Sequence, residues 1–192
     1  EDQVWILGLI LFHLLAFRRF YFVNPFCYFT GEAALHEFPS SRILGECLRK
    51  GGKIDDPYFY NDFTSHPINA ASYPPHRLIS YLGTFLPLDK SYILYELVIL
   101  LHYLMASIVS FYLFGQGFAG FFGAITLPYV GYAMKNNASI AYTVAWTPLL
   151  LLGAKSHNPI LLGGSIGMSL LGGYWPLAIY IIPFSCLVWL AS

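Results

Sequence analysis

Seven carboxylates crowd into one stretch of the chain, residues 24–90: Glu32, Glu37, Glu46, Asp55, Asp56, Asp62 and Asp89. A carboxylate at a membrane surface can serve as a general base or as a ligand for a divalent metal. For any one of them a solvated loop face is the commoner role. Glu32 is set apart by its place. It follows Gly31 shortly after the first apolar run, close to where a lipid-linked substrate presents its head group. The same stretch holds Arg42, Arg49, Lys50, Lys53, His76 and Arg77. Arginine suits bidentate recognition of a phosphate. Basic groups at an interface also anchor to anionic head groups without any chemistry. Both readings stand for Arg77, which precedes an apolar helix, while Arg49 and Lys50 fit anchoring better.

Other candidate sites are weaker. His36, His66 and His76 lack metal-ligand spacing. Cys27, Cys47 and Cys186 are odd in number and contain no CxxC pair, which argues against a metal site or a disulfide framework. Cys27 and Cys47 could pair only in an oxidising compartment, and unpaired cysteine is the commoner case. Glu96 and His102 fall inside the strongest apolar run, where ionisable groups are functional candidates by default. Glu96 lies one turn into its helix, and His102 can simply bond a neighbouring helix.

The elements that position these residues are apolar. The chain is 57% hydrophobic, 18% aromatic and 10% charged, with a mean hydropathy of +0.58. Soluble domains carry about 25% charged residues. A transmembrane helix needs about 20 mostly apolar residues. Such stretches recur, so the composition points to a polytopic, all-α membrane protein of about six spans. Net charge is zero, and nothing suggests nucleic acid. With 15 Tyr and 16 Phe in the chain, some of the aromatic excess fits the belts that Tyr and Trp form at bilayer interfaces.

Residues 1–23 read as the first transmembrane helix, its core from Val4 to Phe17. Residues 24–90 read as one large polar loop, and residues 91–192 as transmembrane helices two to six. Within the loop, Gly31 to Lys50 has the intermittent apolar face of an amphipathic helix, stopped by Gly51-Gly52. Asp55 to Tyr73 reads as ordered coil. Pro74-Pro75 leads into a short apolar helix, His76 to Phe85. The later spans are Ser91 to Phe114, Phe118 to Met134 with Pro128 inside, Ile140 to Ala154 with Pro148 inside, Pro159 to Gly172, and Leu177 to Ala191. Gly163 and Gly167 form a GxxxG pair, and Ala119 and Gly123 a similar one, both expected to pack closely against another helix. Asn137-Ala138-Ser139 matches a glycosylation sequon by chance, in a very short turn. The chain opens without Met and closes just after an apolar run, which leads us to expect a piece of a longer protein. The first apolar run lacks the basic flank and cleavage pattern of a signal peptide.

Eight of the ten Lys and Arg residues lie between Arg18 and Lys90. A plain positive-inside count would put that loop in the cytoplasm, although the rule weakens for loops longer than about 60 residues.

Several segments, taken in order, are similar to a known family. They are Gly31-Glu32-Ala33-Ala34-Leu35-His36-Glu37-Phe38-Pro39, Asp56-Pro57-Tyr58, Tyr73-Pro74-Pro75 through Leu86-Pro87, Leu100-Leu101-His102, Ala145-Trp146-Thr147-Pro148-Leu149, and Leu171-Gly172-Gly173-Tyr174-Trp175-Pro176. Together they resemble the YfhO-type family of bacterial multipass membrane proteins, in the GT-C class of glycosyltransferases. Two departures are visible. Glu32 stands where the family commonly has Asp, and the Gly-Gly corner lacks the family's His and Gln. The resemblance implies a bacterial inner-membrane protein whose first loop is extracytoplasmic, with short helices lying along the membrane. It implies a polyprenyl-phosphate-linked sugar as donor and an acidic base, Glu32. Arg77, helped by His76 or Arg42, would hold the donor phosphate. Asp56 and Asp62 would shape the acceptor site or bind a divalent metal ion. Two other functions fit the same sequence: a non-catalytic membrane subunit whose aromatic loop docks a protein partner, and a lipid or small-molecule transporter with Glu96 and His102 on its pathway.

Overall fold

The computed structural model describes residues 2–18, 21–22, 38–51, 73–126, 129 and 138–191. Among these the chain is helical throughout, with no strand. The helices are α1 (Asp2–Ala16), α2 (Phe38–Arg49), α3 (Pro74–Gly83), α4 (Leu88–Leu113), α5 (Gly117–Thr126), α6 (Ala138–Ala145), α7 (Thr147–Lys155), α8 (Pro159–Leu171) and α9 (Trp175–Ala191).

Local chemistry sets most of the boundaries. Pro74 and Pro75 open α3, since proline's fixed φ suits a first helical turn. At α8, Pro159 stands at the first helical position and Asn158 caps the turn, its side-chain oxygen accepting from the Ile160 and Leu161 amides at 3.1 and 3.0 Å. The Gly115-Gln116-Gly117 turn between α4 and α5 takes positive φ at all three residues, 93°, 62° and 60°. Two glycines there relieve most of the strain. Pro148 removes an amide from the interior of the expected fourth span. The structure breaks that span at Trp146 into α6 and α7.

α4 is the axis. It is 26 residues long and, among the described helices, the one long and apolar enough to cross a bilayer by itself. The others are shorter than a full crossing, so six complete spans are not seen here. α1, α3, α5, α6 and α7 all pack on α4, while α8 and α9 pack on the α6–α7 pair. Contacts give the directions. Leu9 sits with Phe111 and Ala124, and Phe17 stacks on Tyr103 at 5.9 Å, so α1 runs antiparallel to α4. Tyr142 lies 4.7 Å from His102, and Lys155 Nζ donates to the Leu113 carbonyl at 3.4 Å, so α6 and α7 run parallel to it. Gly153 meets Leu162, and Gly172 meets Thr143, which folds α8 back on the same pair. His157 touches Trp189 at 4.9 Å, returning α9 to the starting end.

Two expectations change. The GxxxG face of α8 packs on none of the described residues: a Cβ added at Gly163, Gly164 or Gly167 would meet none of them within 4 Å. Close approach occurs at other glycines. A Cβ added at Gly153 would stand 2.7 Å from the Leu162 backbone nitrogen, and one at Gly120 would stand 2.7 Å from the Phe111 carbonyl oxygen. Gly123, of the second small-residue pair, does pack tightly, against the Phe114 ring, while Ala119 is exposed. The second change concerns α3, which stands upright beside the first half of α4 instead of lying across its end. Gly83 meets Ser91, the His76 ring lies 6.0 Å from Tyr95, and Tyr73 reaches His102.

The bundle has an apolar, aromatic core, and it also exposes apolar stripes and buries polar groups. Val4, Leu7, Leu11 and Leu15 form an exposed stripe on α1. Ile179, Tyr180, Phe184, Leu187 and Leu190 are exposed on α9. The buried set includes His13, His76, Glu96, His102, Ser107, Ser110, Thr143, Ser165, Ser169 and Ser185.

A buried His-Tyr-Trp centre as candidate functional site

Tyr73 is the residue just before α3, and its side chain is fully buried. Three elements converge on it. Its ring stacks on Tyr142 of α6 at 4.7 Å and 30°. Its hydroxyl lies 2.8 Å from Trp146 Nε1 and 2.5 Å from His102 Nε2. His102 Nδ1 is 2.7 Å from the Val98 carbonyl one turn back in α4.

The donors can be assigned. A carbonyl only accepts, so Nδ1 of His102 carries the proton and Nε2 is the acceptor. Indole N–H only donates. The order is therefore Trp146 to Tyr73 to His102 to Val98, each group donating to the next. Both ends are groups that do not titrate near neutrality. The chain cannot relay a proton onward, and it acts as a strut between α3, α4 and the α6–α7 break. Both His102 nitrogens are engaged within the protein. A second strut parallels the first: His13 Nδ1 bonds the Tyr129 hydroxyl at 2.7 Å and Nε2 the Tyr21 hydroxyl at 3.0 Å.

His76 flanks the first strut. It is 2% exposed, between Tyr95 and Tyr142, with Nδ1 at 3.4 Å from the Tyr142 hydroxyl. Among the described residues its Nε2 has no hydrogen-bond partner. Arg77, the next residue, is half-buried, and no ion pair or side-chain hydrogen bond holds it among the described residues. Arg42 is placed differently. Its Nη1 donates to the Gly83 carbonyl and, at 3.2 Å, to the Leu86 carbonyl, so it caps the C-terminal end of α3. The structure thus brings His76 and Arg77 together in the first turn of α3 and sets Arg42 at the opposite end.

Glu46 pairs with Arg49 on the exposed side of α2 at 2.7 Å. That hydrogen bond holds its carboxyl below the ordinary range. Glu96 is fully buried in α4. Cys47 and Cys186 are free thiols. Among the described residues no group of His, Cys, Asp or Glu could hold a metal ion. Glu32, Asp56 and Asp62, with the expected coil from Asp55 to Tyr73, lie outside the described residues apart from Tyr73.

Sequence reasoning singled out His102 and passed over Tyr73, Tyr142 and Trp146. One signal was available. Tyr142 and Trp146 are four apart on one helical face, and Tyr73 precedes a double proline. Tyr73, His102 and Trp146 also fall in three of the segments that carry the family resemblance. No family model, curated protein or solved structure matches the chain.

Proposed function

We propose that the chain is a multi-pass membrane protein of about six spans, and that it serves as the membrane module of a GT-C-type glycosyltransferase. The exposed apolar stripes carry the membrane part of this reading. Water would penalise exposed stripes such as Val4, Leu7, Leu11 and Leu15, whereas lipid solvates them at no cost. Buried serines, histidines and Glu96 are what a bilayer-facing bundle keeps inside. The alternating directions of α1, α4, α5, α6–α7, α8 and α9 support repeated crossings.

The enzymatic part rests on the family resemblance and on Arg77. An arginine left unpaired among the described residues, on a helix with an apolar outer face, is suited to a lipid-borne phosphate. In this reading Arg77, with His76 beside it, holds the phosphate of a polyprenyl-linked sugar donor on the extracytoplasmic face. Glu32 takes the proton from the acceptor hydroxyl as the sugar transfers. Asp56 and Asp62 shape the acceptor site or bind a divalent metal. Arg42 contributes less, since its guanidinium is committed to carbonyls of α3 and its turn.

The test is sugar transfer from a polyprenyl-phosphate donor by the full-length protein in nanodiscs. Glu32→Gln is expected to lower transfer by about 10²–10⁴-fold with donor binding intact. Arg77→Ala is expected to weaken donor binding itself. Wild-type turnover by the Glu32 variant overturns the base assignment. Undiminished binding by the Arg77 variant overturns the phosphate assignment. No transfer by the wild type overturns the enzyme and leaves a non-catalytic subunit.

A further inference from the structure

α3 has the wrong amphipathicity for a helix in water. Leu78, Tyr81, Leu82 and Phe85 share one face by their helical spacing, and they are 58%, 40%, 43% and 61% exposed. The opposite face, buried against α2 and α4, holds His76, Ile79, Ser80 and Gly83. The exposed stripe continues into Leu88 at the start of α4, which is 64% exposed. Arg77 and Thr84 sit at its margin.

Its direction fixes its depth. Counting down α3 from Gly83 through His76 to Tyr73, the partners on α4 climb from Ser91 through Tyr95 to His102. The N-terminal end of α3 therefore lies level with the middle of α4. α4 is 26 residues long, or about 39 Å at 1.5 Å per residue. The hydrocarbon layer is about 30 Å. However that layer is placed along α4, the level of His102 falls inside it. α3, with ten residues, is about 15 Å long, half the layer.

Both ends of α3 are built for such a position. A helix normally opens with four unpartnered amides, a heavy cost in hydrocarbon. Here Pro74 and Pro75 have no amide to leave unpartnered, and the Tyr73 side chain is anchored in protein by Trp146 and His102. At the other end the carbonyls of Gly83 and Leu86 accept from Arg42, close to the charged pair Asp89 and Lys90 that marks the approach to water.

We infer that α3 is a re-entrant helix, upright beside α4 with its N-terminal end inside the hydrocarbon of one leaflet, and that Leu78, Tyr81, Leu82 and Phe85 are covered by the lipids of that leaflet. This rests on the membrane reading above. The experiment is nitroxide labelling of Leu78→Cys, Leu82→Cys and Phe85→Cys in full-length protein whose native cysteines are replaced by serine, in liposomes. Collision with oxygen against a water-soluble nickel complex reports depth, and Leu101→Cys, on an exposed position of α4, is the reference. Depth should increase from Phe85 to Leu82 to Leu78, with about 10 Å between the first and last. Equal depths at the three sites overturn the inference in favour of a helix lying flat. Three water-exposed sites beside a deep Leu101 overturn it in favour of a cap standing clear of the bilayer. A water-exposed Leu101 overturns the membrane reading itself.

Discussion

The Tyr73 hydroxyl does two jobs at once, accepting from Trp146 and donating to His102. Removing it leaves a half-buried indole N–H and a buried imidazole nitrogen unmatched, while the ring can still stack on Tyr142. An unmatched buried polar group costs about 1–3 kcal/mol. Tyr73→Phe should therefore lower the unfolding free energy in detergent by about that amount. Trp146→Phe made on top of it should cost less than the two changes summed, because the indole has already lost its acceptor. Strict additivity, or no loss of stability in Tyr73→Phe, would show that the three residues do not form one unit.

At the scale of elements, small residues divide into those that let helices meet and those that do not. Gly153 belongs to the first kind. A methyl there would stand 2.7 Å from the Leu162 backbone nitrogen, and backbone cannot rotate away. Gly153→Ala should force α7 from α8, at about 1–3 kcal/mol for overpacking. Gly163 and Gly167 belong to the second kind. Their motif predicts intolerance, yet none of the described residues comes within 4 Å of a Cβ placed there. Gly163→Ala should be neutral or stabilising, by up to about 1 kcal/mol from helix propensity. Thermal unfolding of the two variants in one detergent separates the alternatives: equal destabilisation would mean that the α8 glycine face is a contact after all.

The whole molecule has two unlike ends. One carries the α4–α5 turn, the α7–α8 turn with Lys155, and the start of α1. The other carries Arg18, Arg42 and Lys90, by the end of α1 and the turn between α3 and α4. Charge counting places that second end in the cytoplasm, and the family resemblance places it outside. We expect it outside, because a long loop translocates largely regardless of its charge. A cysteine introduced at Ser65, in a background free of native cysteines, should react with a membrane-impermeant maleimide on intact cells. Reaction only after the cytoplasmic side is opened would reverse the orientation.

Much of the helical layout was legible in one dimension. Apolar runs bounded by Gly115-Gln116-Gly117, Asn158-Pro159 and Gly172-Gly173 mark α4, α8 and α9 closely, because turn chemistry and proline geometry act within a few residues. Ile140 to Ala154 reads as one span with Pro148 inside, and the structure breaks it at Trp146. What the sequence could not determine was partnership. A GxxxG spells small residues, but only the relative placement of two helices decides whether anything approaches them, and here Gly153 is approached while Gly163 is not. The upright stance of α3 depends on where its buried His76 and Tyr73 find Tyr95 and His102 along α4, a distance in space that no spacing in the chain encodes. The Trp146-Tyr73-His102 strut joins residues 29 and 73 positions apart, so it exists only once three helices have packed.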